Sequence, residues 1–116
     1  RILLDNCTHF GLKKLFPNHE VRHASEVGFA ALNNGDLLEA AAERFDVLIT
    51  TDKNIRHQHN LDRLAISIIE INIPDVRLPL LLPLAPKLIA ALDLVPGWRL
   101  ISVSTEDAIE TLGKYA

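Results

Sequence analysis

The sequence predicts one α/β domain, a three-layer α/β/α sandwich around a mainly parallel sheet. Three observations carry that prediction. Short, wholly apolar runs such as Ile2-Leu3-Leu4 and Val47-Leu48-Ile49 lack the alternation of a half-exposed strand and suit strands covered on both faces. Segments with helical spacing separate these runs, the order expected of parallel strands joined by helical crossovers. The chain has 116 residues, 48% of them hydrophobic, with no repeat, low-complexity run or linker, which matches a single core.

Taken in order, Ile2-Leu3-Leu4 is the first strand and ends in Asp5. A helix follows, with Thr8 as its cap, Leu12, Leu15 and Phe16 on one face, and Pro17-Asn18 as its stop. Residues 20–24 read as a second short strand and residues 27–34 as a loop or irregular helix. Asn33-Asn34-Gly35 punctuates the chain, after which residues 36–44 set Leu37, Leu38 and Ala41 at helical spacing. Val47-Leu48-Ile49 leads into Thr50-Thr51-Asp52 and a polar, basic stretch over residues 53–63. A β-branched strand over 65–73, an apolar helix over 78–94, a turn at Pro96-Gly97 and a strand over 99–103 continue the alternation. Residues 105–112 are expected to form a short terminal helix capped by Ser104 or Thr105.

Charge and cysteine content narrow the function. Fifteen acidic against 12 basic residues, a net charge of −3, exclude a generic DNA-coating or polybasic membrane protein. A lone Cys7 builds neither a disulfide framework nor a cysteine zinc site, so a reducing, cytoplasmic setting is expected. The most apolar stretch, residues 78–95, carries Lys87, Asp93 and three prolines and reads as a buried helix rather than a membrane span. The opening strand shows no signal-peptide pattern.

The acidic residues gain meaning from their place along the strands. In open parallel sheets, ligands bind outside the carboxyl ends of the strands, near the switch in strand order. Asp5 ends the first strand and Asp52 lies just past the Val47-Leu48-Ile49 run, so both emerge at one edge if the strands are parallel neighbours. Asp46 opens its strand, roughly 20 Å away at ~3.3 Å per residue, and belongs to the far edge. An aspartate directly after three buried aliphatics costs free energy unless paired, hydrogen-bonded or metal-bound. Asp36 has two readings, a third ligand at the same edge or an acid complementing its helix N-terminus. Converging carboxylates without cysteine favour a hard cation, Mg²⁺ or Mn²⁺, with Asn54 as a further oxygen ligand and Asn6, Thr50 and Thr51 supporting the ligands. Such ions serve phosphoryl chemistry. Lys53, Arg56, His57, His59 and Arg63 follow closely, a basic set suited to the phosphates flanking a scissile bond or to an ordinary solvated loop. The histidine pairs His19/His23 and His57/His59 invite zinc, yet no third ligand of matching type accompanies them.

Three segments together resemble a known family: Ile2-Leu3-Leu4-Asp5-Asn6, Asn34-Gly35-Asp36-Leu37-Leu38, and Asp46-Val47-Leu48-Ile49-Thr50-Thr51-Asp52-Lys53-Asn54. Their order and spacing resemble a PIN-like domain, and more closely the compact PIN-like proteins of bacteria, many regarded as toxins of VapBC-like toxin–antitoxin pairs. The resemblance implies a Mg²⁺- or Mn²⁺-dependent ribonuclease with RNA as substrate, a cognate antitoxin as partner, and Asp5, Asp36 and Asp52 as catalytic acids. Thr50 matches the threonine of the family's Thr-x-Asp, while Asn54 stands at the fourth acidic position and Asn6 where related members often carry Glu. Those two asparagines lower the negative charge of the site and favour the alternative, a catalytically impaired PIN-like module that binds a protein or RNA. The exposed side of the 78–94 helix offers a homodimer face. A phospho-acceptor receiver domain is the third reading, but it asks for adjacent acids after the first strand and a lysine in a late strand.

Overall fold

The computed structural model describes residues 1–58, 61–106 and 108–115. Its centre is a six-stranded sheet of β1 (Ile2–Leu4), β2 (Val21–His23), β3 (Val47–Thr50), β4 (Ser67–Ile71), β5 (Trp98–Val103) and β6 (Glu110–Lys114). The spatial order is β2-β1-β3-β4-β5-β6, with β1 to β5 parallel and β6 antiparallel to β5. The protein is therefore an α/β fold with a mainly parallel sheet, as the apolar runs predict.

The burial pattern explains the runs. Every residue of β1, β3 and β4 is buried, because helical elements cover both faces of the sheet. On one face Ile2, Leu4, Ile49, Ile69 and Ile101 pack with Leu12, Phe16, Leu81, Leu84 and Leu88. On the other, Leu3, Leu48, Ile68 and Leu100 pack with Leu37, Leu38 and Ala41 of α1 (Asn34–Arg44) and with Ile55. Alternate residues of each strand thus feed opposite cores, each buried aliphatic contributing roughly 1.5–3 kcal/mol. The α1 helix starts where Asn33 Oδ1 accepts the Asp36 amide at 2.9 Å, and Arg44 in its last turn complements the helix dipole.

Three elements differ from expectation. The segment after β1 is a 3-10 helix (Phe10–Leu15) capped by His9, whose Nδ1 accepts the Gly11 amide at 3.0 Å. Thr8 is unavailable as a cap because its hydroxyl turns inward to the Ile49 carbonyl at 3.4 Å. The apolar 78–94 stretch is not one helix but α2 (Leu78–Leu81), a 3-10 turn (Leu82–Leu84) and α3 (Ala85–Asp93). Pro79, Pro83 and Pro86 each sit in the first two residues of a piece, where the missing amide is tolerated, and each prevents a helix from running through. Leu80, Leu82, Ile89 and Leu94 remain exposed on its outer side. The expected terminal helix over 105–112, of which Asp107 lies outside the described residues, is replaced from Glu110 by strand β6. Pairing with the open edge of β5 outweighs the local capping signal. Gly113 takes φ +68° within β6, a conformation open to glycine at no steric cost, and a Cβ there would meet the Arg99 side chain at 3.1 Å.

Among the described residues no helix is long and apolar enough to cross a membrane.

Candidate functional site at the carboxyl edge of β1 and β3

From β1 the chain crosses to β2 on one side and returns to β3 on the other, which makes the β1/β3 boundary the switch point of the sheet. Register places the candidate acids there. One step beyond the Leu4↔Ile49 pair, Asp5 and Thr50 stand side by side, and the Asp5 amide donates to the Ile49 carbonyl at 2.9 Å. Asp5 is only 4% exposed, yet its carboxylate is well satisfied. Oδ1 accepts the Asn6 amide at 2.6 Å, and Oδ2 accepts the Thr50 hydroxyl at 2.7 Å and the Cys7 thiol at 3.5 Å.

Thr50 joins the two aspartates. Its hydroxyl donates to Asp5 and accepts the Asp52 amide at 3.0 Å, and its side chain is wholly buried. Asp52 then caps a 3-10 helix (Lys53–His57), with Oδ1 accepting the Asn54 amide at 2.9 Å. Its other oxygen accepts the side-chain amide of Asn34, the first residue of α1, also at 2.9 Å. Thr51 hydrogen-bonds the Cys7 carbonyl at 3.1 Å and the Cys7 thiol at 3.3 Å, closing the β1 and β3 loops on each other. Asp46 lies exposed at the opposite end of β3, as its place at the strand start predicts.

The other expected residues fare differently. Asp36 is exposed in the first turn of α1 and has a capping partner for its amide, while Asn34, two residues earlier, makes the contact to Asp52. Residues i and i+2 of a helix do not share a face, so α1 presents Asn34 rather than Asp36 to Asp52. Among the described residues no three His, Cys, Asp or Glu side chains gather as a metal-binding group. Asn54 contributes its backbone amide to Asp52. Asn6 donates its side-chain amide to the Phe29 and Ala30 carbonyls, both at 3.2 Å, which ties the β1 loop to the segment before α1.

The basic set also divides. Arg56 is not a free cation: its guanidinium forms two parallel bonds to Glu70, at 3.1 and 2.7 Å, and the carboxylate holds it above its ordinary pKa. Arg63 is paired with Glu39 of α1. Lys53 and His57 are exposed beside Asp52, and His59 lies outside the described residues. Of the histidines considered for zinc, His23 is engaged by the Thr8 carbonyl at 2.9 Å and Ser25 Oγ at 2.7 Å.

Asn34, Cys7 and Glu70 are participants that the sequence reading passed over. A charged residue inside the β-branched run 65–73 was the available signal for Glu70. Asn34 lay hidden in an Asn-Asn-Gly turn that reads as punctuation.

The donor set bears on what the site can hold. Each carboxylate has about four acceptor positions, and the bonds above leave some open on both Asp5 and Asp52. Two such carboxylates with neutral hydroxyl and amide oxygens suit a hard cation that keeps several waters, and the one thiol beside them, Cys7, falls short of the nitrogen and sulfur set typical of zinc. No family model, curated protein or solved structure matches this chain.

Proposed function

We propose that the protein is a metal-dependent ribonuclease of PIN-like type, hydrolysing RNA phosphodiester bonds at the carboxyl edge of β1 and β3. The observation that carries this reading is the Asp5–Thr50–Asp52 chain at the switch point of the sheet. Asp5 and Asp52 would hold a Mg²⁺ or Mn²⁺ ion, which when bound supplies a Lewis acid beside the scissile phosphate. Thr50 ties the Asp5 carboxylate to the backbone amide of Asp52, and Asn34 fixes the rotation of the Asp52 side chain. Exposed Lys53 and His57 would meet flanking phosphates, and Asp36, which α1 turns away from Asp52, has no assigned step. A cytoplasmic setting, a cognate antitoxin, and a homodimer formed through the exposed Leu80, Leu82 and Ile89 belong to the same reading.

Two features favour the alternative, a PIN-like module that binds RNA or protein without cleaving. Asn6 and Asn54 stand where acids would raise the charge of the site, and Asp36 is not gathered with Asp5 and Asp52. The strand order is also that of phospho-acceptor receivers, but here Asn6 follows Asp5 and β5 contains no lysine.

Cleavage of RNA by the purified protein in Mg²⁺ or Mn²⁺, beside Asp5→Asn and Asp52→Asn, separates these readings. The enzyme reading expects activity lost in both variants. Equal activity in all three proteins would remove it, and a wild-type protein that neither cleaves RNA nor melts higher with Mg²⁺ or Mn²⁺ would leave the binding module.

A further inference from the structure

We infer that the Arg56–Glu70 ion pair is a positioning device for the site: it fixes the 3-10 helix capped by Asp52 and thereby holds Asp52 against Asn34 and Thr50. Glu70 is 1% exposed, in mid-sheet on β4, in register with Thr50 on one side and Ser102 on the other. Asp5, Thr50, Glu70 and Ser102 therefore form a polar row across four strands, on the same face as the apolar row Leu3, Leu48, Ile68 and Leu100 two residues earlier. Ser102 Oγ donates to Glu70 at 3.3 Å, and Arg56 supplies the remaining two bonds.

Here the carboxylate is buried and the guanidinium partly exposed, and an ion pair with a desolvated carboxylate is a poor way to gain stability, because the desolvation cost offsets much of the attraction. Apolar anchorage of this helix is already provided by Ile55, wholly buried in the α1 side of the core. What the pair adds is direction. Two parallel bonds from a planar guanidinium fix orientation in a way that an aliphatic contact does not. The helix is five residues long, with Asp52 as cap before its first residue and Arg56 as its fourth. It is thus pinned to β3 through Thr50 and to β4 through Glu70, and Asp52 has little room to swing from Asn34.

The proposal deepens the ribonuclease reading and rests on it only in treating Asp52 as functional. The test replaces both partners, Arg56→Met with Glu70→Met, and reads three signals in the full chain: melting temperature, the side-chain amide resonances of Asn34, and Mn²⁺-dependent RNA cleavage. Expected are a melting temperature within about 4 °C of wild type, Asn34 amide resonances moved to the position of an unbonded side chain, and cleavage lowered by about 10²-fold. Asn34 resonances that stay in place in the folded double variant overturn the proposal, whatever the RNA assay gives. Displaced resonances with no cleavage even by wild type uphold the positioning role and remove the nuclease reading instead. If the double variant does not fold cooperatively, Glu70→Gln, which keeps the shape and loses the charge, is judged by the same Asn34 criterion.

Discussion

Thr50→Val isolates the hydroxyl on which the candidate site depends. Valine has nearly the shape of threonine, and Thr50 is wholly buried, so the change leaves no cavity and its cost is polar. Two bonds are lost. The one to the Asp5 carboxylate, at 2.7 Å, has a charged acceptor and is worth about 1.5–3 kcal/mol, and the one from the Asp52 amide, at 3.0 Å, about 1 kcal/mol. Asp5 retains the Asn6 amide, which limits its penalty, so the expected loss is about 2–4 kcal/mol. For a chain of this length that lowers the melting temperature by roughly 8–16 °C. Thr51→Val is the control, since Thr51 bonds only the neutral Cys7 carbonyl and thiol and should cost about 1 kcal/mol. Melting curves by circular dichroism decide the matter. If Thr50→Val melts no lower than Thr51→Val, the Asp5–Thr50–Asp52 chain does not hold this edge together.

Two further outcomes are expected. Burial pushes the Tyr115 phenol above its ordinary 10.0, with the Arg99 charge opposing, so the folded state keeps a proton that the unfolded state releases. Stability should therefore fall as pH rises from about 10, and Tyr115→Phe should flatten that fall in denaturant midpoints measured across the range. The same variant loses the bonds to the Leu64 and Ile66 carbonyls, so its midpoint should also be lower near neutral pH, and parallel curves for the two proteins would contradict the assignment. Cys7 is exposed 3.5 Å from Asp5, so alkylating it with a bulky maleimide should weaken Mn²⁺ binding in calorimetric titrations. Unchanged affinity would place the cation away from Asp5.

The parts of the fold legible in the sequence are those set by local pattern. Ile2-Leu3-Leu4 and Val47-Leu48-Ile49 have no polar face, so they admit only strands covered on both sides, and their ends then place Asp5 and Asp52 at one edge. The misread elements are those decided by distant partners. Residues 110–114 form a strand because β5 offers unpaired backbone groups, a fact about residues 98–103 that no capping residue near 105 reveals. The contribution of Asn34 likewise depends on α1 approaching the β3 loop, and that of Arg56 on Glu70 fourteen residues away. In the basic stretch, composition showed the charges but not their counter-ions, which sit on β4 and α1.

The antiparallel strand β6 bears on aggregation. Without it, β5 would expose the backbone of Leu100, Ile101 and Ser102 as an open edge, a ready template for another copy. β6 takes up that edge and is itself a poor template, since Gly113 breaks the regular pleat and Glu110 and Lys114 place charges along an exposed strand. The same C-terminal segment adds to the fold's stability through Ile109 on the core and Tyr115 on the Leu64 and Ile66 carbonyls. A chain whose parallel strands have paired before β6 is laid down would offer that open edge to its neighbours, so late docking of β6 is the step at which self-association competes with folding.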